Sequence, residues 1–167
     1  MPASSRVTTC LWYDGDGEEA ARFYVSLIPN SRITHVNRYV RSGDTPEGVP
    51  QLPDGAALVV QFELDGAKFW ALNGGPMFQK NEAASIVMAC DTQADIDRLW
   101  SALSDGGAEL ECGWVKDRFG LYWQIVPAQM DAWMGSGDPA ATARMHHAVW
   151  GMKKLDMAAL EAAFRGA

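Results

Sequence analysis

The sequence of 167 residues is poor in cysteine and contains no long apolar run. Its 3 cysteines, Cys10, Cys90 and Cys112, are widely spaced and form no CxxC pair, which argues against a zinc knuckle and a disulfide framework. No apolar stretch approaches the roughly 20 residues that span a bilayer. The segment Met1–Asp14 also lacks the apolar core of a signal peptide. We therefore predict a cytoplasmic protein.

Clustered positive charge is missing as well. The chain has 14 Lys and Arg against 21 Asp and Glu, a formal net charge of −7. Such a surface repels phosphate backbones and anionic lipids, so we expect neither a nucleic-acid nor a membrane partner. The hydrophobic share of 48% is ordinary for a globular protein. The 7 tryptophans are an unusual count, which fits an aromatic core or a concave apolar site.

The first half of the chain predicts a strand, a helix and three further strands. The predicted strands are Val7–Tyr13, Ser31–Val40, Ala56–Leu64 and Ala67–Asn73. Asp16, with Glu19 three residues later, is typical of a helix start with a capping box. Asp65-Gly66 between two apolar runs is the strongest short-range signal for a tight hairpin. A turn-rich loop, Ser42–Gly55, separates the second and third strands.

The second half repeats this order about 77 residues later, so that Asp14 matches Asp91 and Leu27 matches Leu103. The predicted strands are Ser85–Cys90, Ala108–Lys116 (one or two strands) and Leu121–Val126. The helix between the first two carries an apolar stripe at helical spacing, made of Ile96, Leu99, Trp100 and Leu103. A repeat of this kind predicts a duplicated module in which neither half buries its sheet face alone.

The character of the chain changes after Pro127. Asp138-Pro139 predicts the start of a helix, Ala141–Met152, and Asp156 is expected to cap a last helix, Met157–Phe164. We expect this tail to pack on the body or on a partner subunit. The predicted division is residues 1–77 for the first module, 78–128 for the second and 129–167 for the tail, within one structural domain.

Several motifs occur along the chain in a fixed order. They are CLWYDGDGEEAARFYVSLIPNSRI, FELDGAKFWALNGGP, CGWVKDRFGLYWQIVP and a tail with DPA and MKKLDMAALEAA. From Val7 to about Leu160 the chain thereby resembles the PhnB-like branch of the vicinal oxygen chelate (glyoxalase, bleomycin-resistance and dioxygenase) superfamily. That branch is often labelled 3-demethylubiquinone-9 3-methyltransferase-like. The resemblance implies an α+β fold: two βαβββ modules form cupped, mixed or antiparallel sheets around a shared cavity, with a C-terminal helical tail. It also implies a homodimer.

The same resemblance implies positions for a divalent metal, one pair in each module. They fall here at Thr8, within Trp70–Asn73, at Ser85 and at Gln124. Divalent ions of this kind prefer imidazole or carboxylate, and these positions offer neither. We therefore expect no metal and no other cofactor.

The methyltransferase label is a separate implication of the resemblance. Enzymes that use S-adenosylmethionine often bind it at a glycine-rich turn that follows a parallel strand and opens a helix. Gly74-Gly75 follows a strand without opening a helix, and Gly106-Gly107 follows a helix. The label therefore has no support in a cofactor motif.

Strand alternation predicts a pocket with an aromatic wall and a few neutral polar groups. Thr8, Cys10 and Trp12 share one strand face, and Tyr122 lies on the same face as Gln124. The predicted ligand-binding residues are Thr8, Cys10, Trp12, Asn73, Ser85, Tyr122 and Gln124. The first hypothesis is a protein that binds a small apolar or aromatic molecule without a metal.

Two alternatives stay open. One is a metal-independent enzyme on the same scaffold that uses Gln124, Asn73 and Cys10. The other is a structural homodimer whose cavity is vestigial. No catalytic residue is assigned.

Overall fold

A computed structural model of the chain describes residues 6–41 and 52–167. Most of the turn-rich loop predicted at Ser42–Gly55 lies outside the described residues. The chain divides into two compact units, Met1–Gln79 and Lys80–Ala167. Each unit carries one four-stranded sheet.

The first unit is a mixed sheet with one helix. Its elements are β1 (Thr9–Tyr13), α1 (Gly17–Leu27), β2 (Arg32–Arg38), β3 (Ala57–Leu64) and β4 (Ala67–Asn73). The strand order is β1-β4-β3-β2, in which only the β1–β4 pair is parallel. Asp65 and Gly66 both have positive φ, 44° and 85°, as a type I′ turn requires. The predicted hairpin is confirmed.

Helix α1 covers one face of this sheet. Its Ala20, Ala21 and Tyr24 are fully buried, and the Tyr24 ring lies 6.4 Å from that of Phe62 on β3. The other buried residues on this face alternate along the strands: Tyr13, Val60, Phe69 and Ala71. Ala20, Phe23, Tyr24 and Leu27 have the spacing that predicts one apolar stripe along this helix. Ala20 and Tyr24 are buried as predicted, whereas Phe23 and Leu27 are only half-buried and Ala21 is buried beside them.

The capping box predicted at the start of α1 is wrong. Asp16 precedes the helix, but its side chain makes no capping hydrogen bond. Asn73 at the end of β4 caps the helix instead: its Oδ1 accepts a hydrogen bond from Gly17 N at 2.9 Å. A Cβ on Gly17 would come within 2.7 Å of that oxygen, so the close approach requires glycine. The cap therefore comes from a residue far away in sequence.

The second unit repeats the topology of the first. Its elements are β5 (Ile86–Cys90), α2 (Gln93–Ser104), β6 (Ala108–Glu109), β7 (Trp114–Lys116) and β8 (Tyr122–Pro127). The order is β5-β8-β7-β6, and β5–β8 is the parallel pair. The four predicted stripe residues of α2 are all buried. The Thr92 hydroxyl caps this helix by accepting from Asp95 N. The duplicated βαβββ order is thus confirmed.

A buried carboxylate organises the β7–β8 hairpin. Asp117 is 2% exposed. Its Oδ1 accepts hydrogen bonds from Phe119 N at 2.9 Å and Leu121 N at 3.0 Å. Its Oδ2 accepts from Trp123 Nε1 at 2.8 Å. The carboxylate thereby ties the turn to β8, one of the two inner strands of the sheet.

The tail forms three helices, α3 (Met130–Met134), α4 (Pro139–Trp150) and α5 (Met157–Arg165). The sequence analysis missed α3, whereas the caps expected at Asp138 and Asp156 are both present. No helix of the described chain is both long and apolar enough to cross a membrane.

The tail packs on the body of its own unit. Met145, Leu155 and Leu160 form a buried cluster, against which Val126 of β8 also packs. The backbone of the tail adds further links, since Met152 O accepts a hydrogen bond from Cys112 N at 2.7 Å. Met145 of α4 is therefore covered within its own unit, and Val149 of the same helix packs against this cluster.

Candidate functional site

The face of the first sheet opposite α1 carries a mixture of aromatic and polar side chains. The strand register places Cys10, Trp70 and Gln61 side by side on β1, β4 and β3. Two residues away in each strand, Trp12, Leu72 and Val59 form the next row of this face. The Trp70 side chain is a large apolar group with 42% of its surface exposed.

A cleft of about 310 Å³ opens on this face. Its lining residues are Thr8, Thr34, Gln61, Phe62, Glu63, Lys68, Phe69 and Trp70. Thr8 was a predicted site residue, whereas Gln61, Lys68 and Trp70 were not in the predicted set. The sequence contained a signal that could have identified them, because a two-residue turn at Asp65-Gly66 pairs Gln61 with Trp70 and Glu63 with Lys68.

Trp12 closes one end of this face. Its Nε1 donates a hydrogen bond to Gly75 O at 2.8 Å, and its ring makes an edge contact with Phe78, with centroids 4.8 Å apart. A Cβ on Gly74 would collide with the Trp12 indole. The Gly74-Gly75 pair is thus explained by close packing against a tryptophan.

Asn73 lies on the opposite face from Thr8, Cys10 and Trp12. It is 3% exposed. Its Nδ2 donates to Ala57 O at 2.8 Å, while Oδ1 receives the Gly17 amide. The structure therefore does not bring Asn73 together with the other predicted site residues of its unit.

The second sheet brings three predicted residues to its own open face. Gln124 lies in register between Val87 on β5 and Trp114 on β7. Its Nε2 donates a hydrogen bond to Ser85 Oγ at 2.8 Å. Tyr122, two residues along β8, points to the same side by strand alternation and is 6% exposed. Val87 is 57% exposed, so an apolar part of this face is open.

The strand register also shows which residue within Trp70–Asn73 occupies the metal position that the family resemblance implies there. Trp70 pairs with Cys10 as Gln124 pairs with Val87, so Trp70 is the counterpart of Gln124 in the first unit. An indole has no lone-pair acceptor for a metal. The other position in the first unit is the Thr8 hydroxyl, and the second unit offers the Ser85 hydroxyl and the Gln124 amide. Neither unit therefore offers the imidazole or carboxylate that a divalent ion prefers. Within residues 6–41 and 52–167, no group of three or more His, Cys, Asp or Glu side chains has a metal-binding arrangement.

Exchange of Gln124 for glutamate should not create a tight zinc site. The new carboxylate would have the Ser85 hydroxyl as its neighbour, and one anionic ligand does not offset the dehydration of a divalent ion. Zinc titration in competition with a chromophoric chelator measures the affinity, with the unmodified protein as control. Stoichiometric zinc uptake at submicromolar concentration would contradict this donor-set argument.

The thiols of Cys10 and Cys90 are poorly suited to nucleophilic chemistry. Cys10 is exposed on β1, yet partial desolvation raises its pKa. Burial raises the pKa of Cys90 to about 11, and nearby Asp95 adds to the effect. Both groups are therefore protonated at neutral pH, whereas the thiolate is the reactive form.

Comparison with known proteins now identifies the family. Residues 5–126 match the family described as 3-demethylubiquinone-9 3-methyltransferase. The chain belongs to this family. The resemblance to the PhnB-like branch is confirmed, and the helical tail after Val126 lies outside the matched segment. A comparison with curated proteins finds no match.

Two solved structures are similar to this member of the family. The PhnB protein from Bacillus cereus is 28% identical, with a TM-score of 0.62 over 73% of this chain and 99% of that chain. Protein PA1353 from Pseudomonas aeruginosa is 21% identical, with a TM-score of 0.59 over 74% and 98% of the two chains. The second likeness bears on the fold alone.

The methyltransferase description of the family raises the question of a place for S-adenosylmethionine. Asp14–Gly17 is a glycine-containing turn between a parallel strand and a helix, the order in which nucleotide-type cofactors are often held. The amide of Gly17 is already bound by Asn73 Oδ1. Gly74 packs closely against the Trp12 indole, and Gly75 O accepts a hydrogen bond from Trp12 Nε1. Neither turn fits the cofactor.

Proposed function

We propose that this protein binds a small apolar or aromatic molecule without a resident divalent metal. The observation that carries the proposal is the cleft of about 310 Å³ beside the exposed indole of Trp70. Small-molecule sites are concave and combine apolar walls with polar groups that fix orientation. Here Trp70 supplies an aromatic wall, and Thr8 and Gln61 supply hydrogen-bonding groups on the same sheet face.

The Ser85–Gln124 pair supports the proposal from the second unit. An amide can both donate and accept hydrogen bonds, and its capacity does not change with pH. The pair lies on an open sheet face beside Trp114 and the exposed Val87. We infer that Ser85 and Gln124 contact polar atoms of a molecule bound at this face, and that Tyr122 contributes to its wall. In the first unit, we infer that Cys10 and Trp12 contribute to the wall of the face that carries the cleft.

A metal-independent enzyme is the second candidate, and the family description favours it. Of the residues that this candidate assigns to catalysis, Cys10 and Asn73 are poorly suited to the role. The Cys10 thiol has a raised pKa, and both ends of the Asn73 amide are engaged within the fold. Turnover of a bound molecule, once that molecule is identified, distinguishes this candidate from simple binding.

We also propose that the protein is a cytoplasmic homodimer. The outer strands β1 and β2 of the first sheet and β5 and β6 of the second can present edges to another chain. The tail does not add to this argument, because Met145, Leu155 and Leu160 are buried within their own unit.

Native mass spectrometry of freshly purified protein tests these proposals together. We expect the mass of a dimer and an adduct of a small organic molecule, with no transition metal retained after mild chelation. About one chelation-resistant metal per chain would contradict the metal-independent proposal. A monomer at micromolar concentration would contradict the dimer. A protein that carries no adduct and binds none of a panel of aromatic compounds would favour a vestigial cavity.

A further inference from the structure

We propose that the cleft beside Trp70 selects uncharged, flat ring molecules whose edge carries a hydrogen-bond donor next to an acceptor, as a lactam does. The ring would lie against the Trp70 indole, and the N–H and C=O of the lactam would pair with the side-chain amide of Gln61. This inference rests on the proposed function and names the class of ligand.

The charged side chains that line the cleft, Glu63 and Lys68, already have partners. Glu63 is ion-paired with Arg32, with 2.6 Å between Arg32 Nη2 and Glu63 Oε2. Lys68 also has a partner. A charged ligand would therefore lose hydration and would have to compete with these partners for its counter-charge. Recognition by the neutral polar groups of the lining avoids that cost.

The Gln61 amide is a neutral group well placed for such recognition. Gln61 lines the cleft and pairs across the β3–β4 hairpin with Trp70, so its amide lies beside the indole on the same sheet face. Among the residues that the structure describes, this half-buried amide has no hydrogen-bond partner. It holds an acceptor oxygen and an NH2 donor in one plane. A lactam edge offers the complementary donor and acceptor, so the two groups can form two parallel hydrogen bonds.

A β-bulge in β2 adds a hydroxyl group to the lining. Ile33 pairs with Phe62 and His35 pairs with Gln61, which leaves Thr34 as the extra residue. A bulge sets two residues of one strand opposite a single residue of its neighbour, and bulges often lie next to functional sites. Thr34 accordingly lines the cleft. Its hydroxyl can donate to or accept from a ligand that the Gln61 amide holds.

The size of the cleft favours a flat molecule of one or two rings. Its volume of about 310 Å³ is at the lower end of the range for ligand pockets, about 300–1,000 Å³. The Trp70 indole is exposed on β4, and a flat ring laid on it gains stacking and apolar contact together. The indole thus supplies the contact area, and the Gln61 amide supplies the selectivity.

Two pairs of probes test the two parts of the inference by isothermal titration calorimetry. The lactam 2-quinolinone and the lactone coumarin share their shape and carbonyl group, but coumarin has a ring oxygen in place of the N–H. We expect the lactam to bind about ten-fold more tightly, because coumarin leaves the Gln61 oxygen without a donor. Naphthalene-2-carboxamide and naphthalene-2-carboxylate differ in charge, and we expect the carboxamide, which also presents a donor beside an acceptor, to bind more tightly.

Matched variants assign the preference for the lactam to its groups. Gln61→Met should make 2-quinolinone and coumarin bind equally, because the amide is lost while the side chain keeps its length. Gln61→Glu should instead widen the preference, since a carboxylate still accepts from the lactam N–H but repels both oxygens of coumarin. Trp70→Leu should weaken both probes, by about ten-fold, and leave their ratio unchanged. The control is Gln129→Met, at an exposed position before α3 in the second unit, which should retain the preference. Circular dichroism of each variant reports its fold.

The outcomes separate this inference from the proposed function. Equal binding of 2-quinolinone and coumarin to the unmodified protein would overturn the donor–acceptor selection and leave small-molecule binding intact. Tighter binding of the carboxylate than of the carboxamide would overturn the selection of uncharged ligands. A preference for the lactam that survives Gln61→Met, or that Gln129→Met also removes, would overturn the role of Gln61. Binding of none of the probes would overturn the inference and, together with the absence of an adduct in native mass spectrometry, count against the proposed function.

Discussion

Replacement of Asp117 by alanine should lower the free energy of unfolding by about 4 kcal/mol. The carboxylate is almost fully buried and accepts hydrogen bonds from Phe119 N, Leu121 N and Trp123 Nε1. Its removal leaves three donors without this acceptor in the interior of the β7–β8 hairpin. Buried donors that lose their partners cost the full desolvation penalty, and the partner here is charged.

Urea unfolding followed by circular dichroism measures this loss. Asp117→Asn should fall between the unmodified protein and Asp117→Ala. Its amide oxygen can still accept from the turn, but its NH2 group would face the Trp123 N–H, another donor. Asp14→Asn, at an exposed position in the β1–α1 turn, is the control and should change stability by less than about 0.5 kcal/mol. An Asp117→Ala loss no larger than that of the control would show that the carboxylate is dispensable.

Local signals were sufficient for most of the fold. Asp65-Gly66 needs no distant contact to specify a type I′ hairpin, since both residues tolerate positive φ. The α2 stripe and the caps at Asp138 and Asp156 are also local patterns, and all are present. The family motifs and the 77-residue repeat then predicted the duplicated βαβββ order.

Long-range contacts account for what the sequence did not predict at α1. Asp16 and Glu19 have the spacing of a capping box, but Asn73 reaches Gly17 across 56 positions of sequence and takes the place of that cap. Such a contact exists only after β4 has paired with β1. Helix α3, of five residues, is too short to show a helical period.

The candidate site was predictable in part from the hairpin alone. Counting back from Asp65-Gly66 pairs Gln61 with Trp70 and Glu63 with Lys68, so the composition of the cleft follows from one turn and strand alternation. The register between β1 and β4 was not predictable in this way, because the two strands are joined through α1, β2 and β3. Without that register, the sequence could not show which residue of Trp70–Asn73 is the counterpart of Gln124.

Asn73 provides the sharpest distinction between a structural residue and a ligand contact. Asn73→Ala should lower the free energy of unfolding by about 3 kcal/mol, because it leaves the buried Gly17 N–H and Ala57 C=O without their partners. We expect the variant that remains folded to bind an aromatic compound from the panel used in native mass spectrometry with unchanged affinity, since Asn73 lies on the face covered by α1. Asn37→Ala, at an exposed position on β2, is the matched control for stability.

The two measurements on Asn73→Ala bear on different hypotheses. Loss of stability with unchanged affinity places Asn73 in the scaffold and weakens the enzyme hypothesis, which assigned it a role beside Cys10 and Gln124. Loss of affinity with unchanged stability would mean that its amide is available to a ligand, in conflict with its hydrogen bonds to Gly17 and Ala57. Because α1 begins at Gly17, an unfolding transition that loses helical signal first would point to the cap as the origin of the instability.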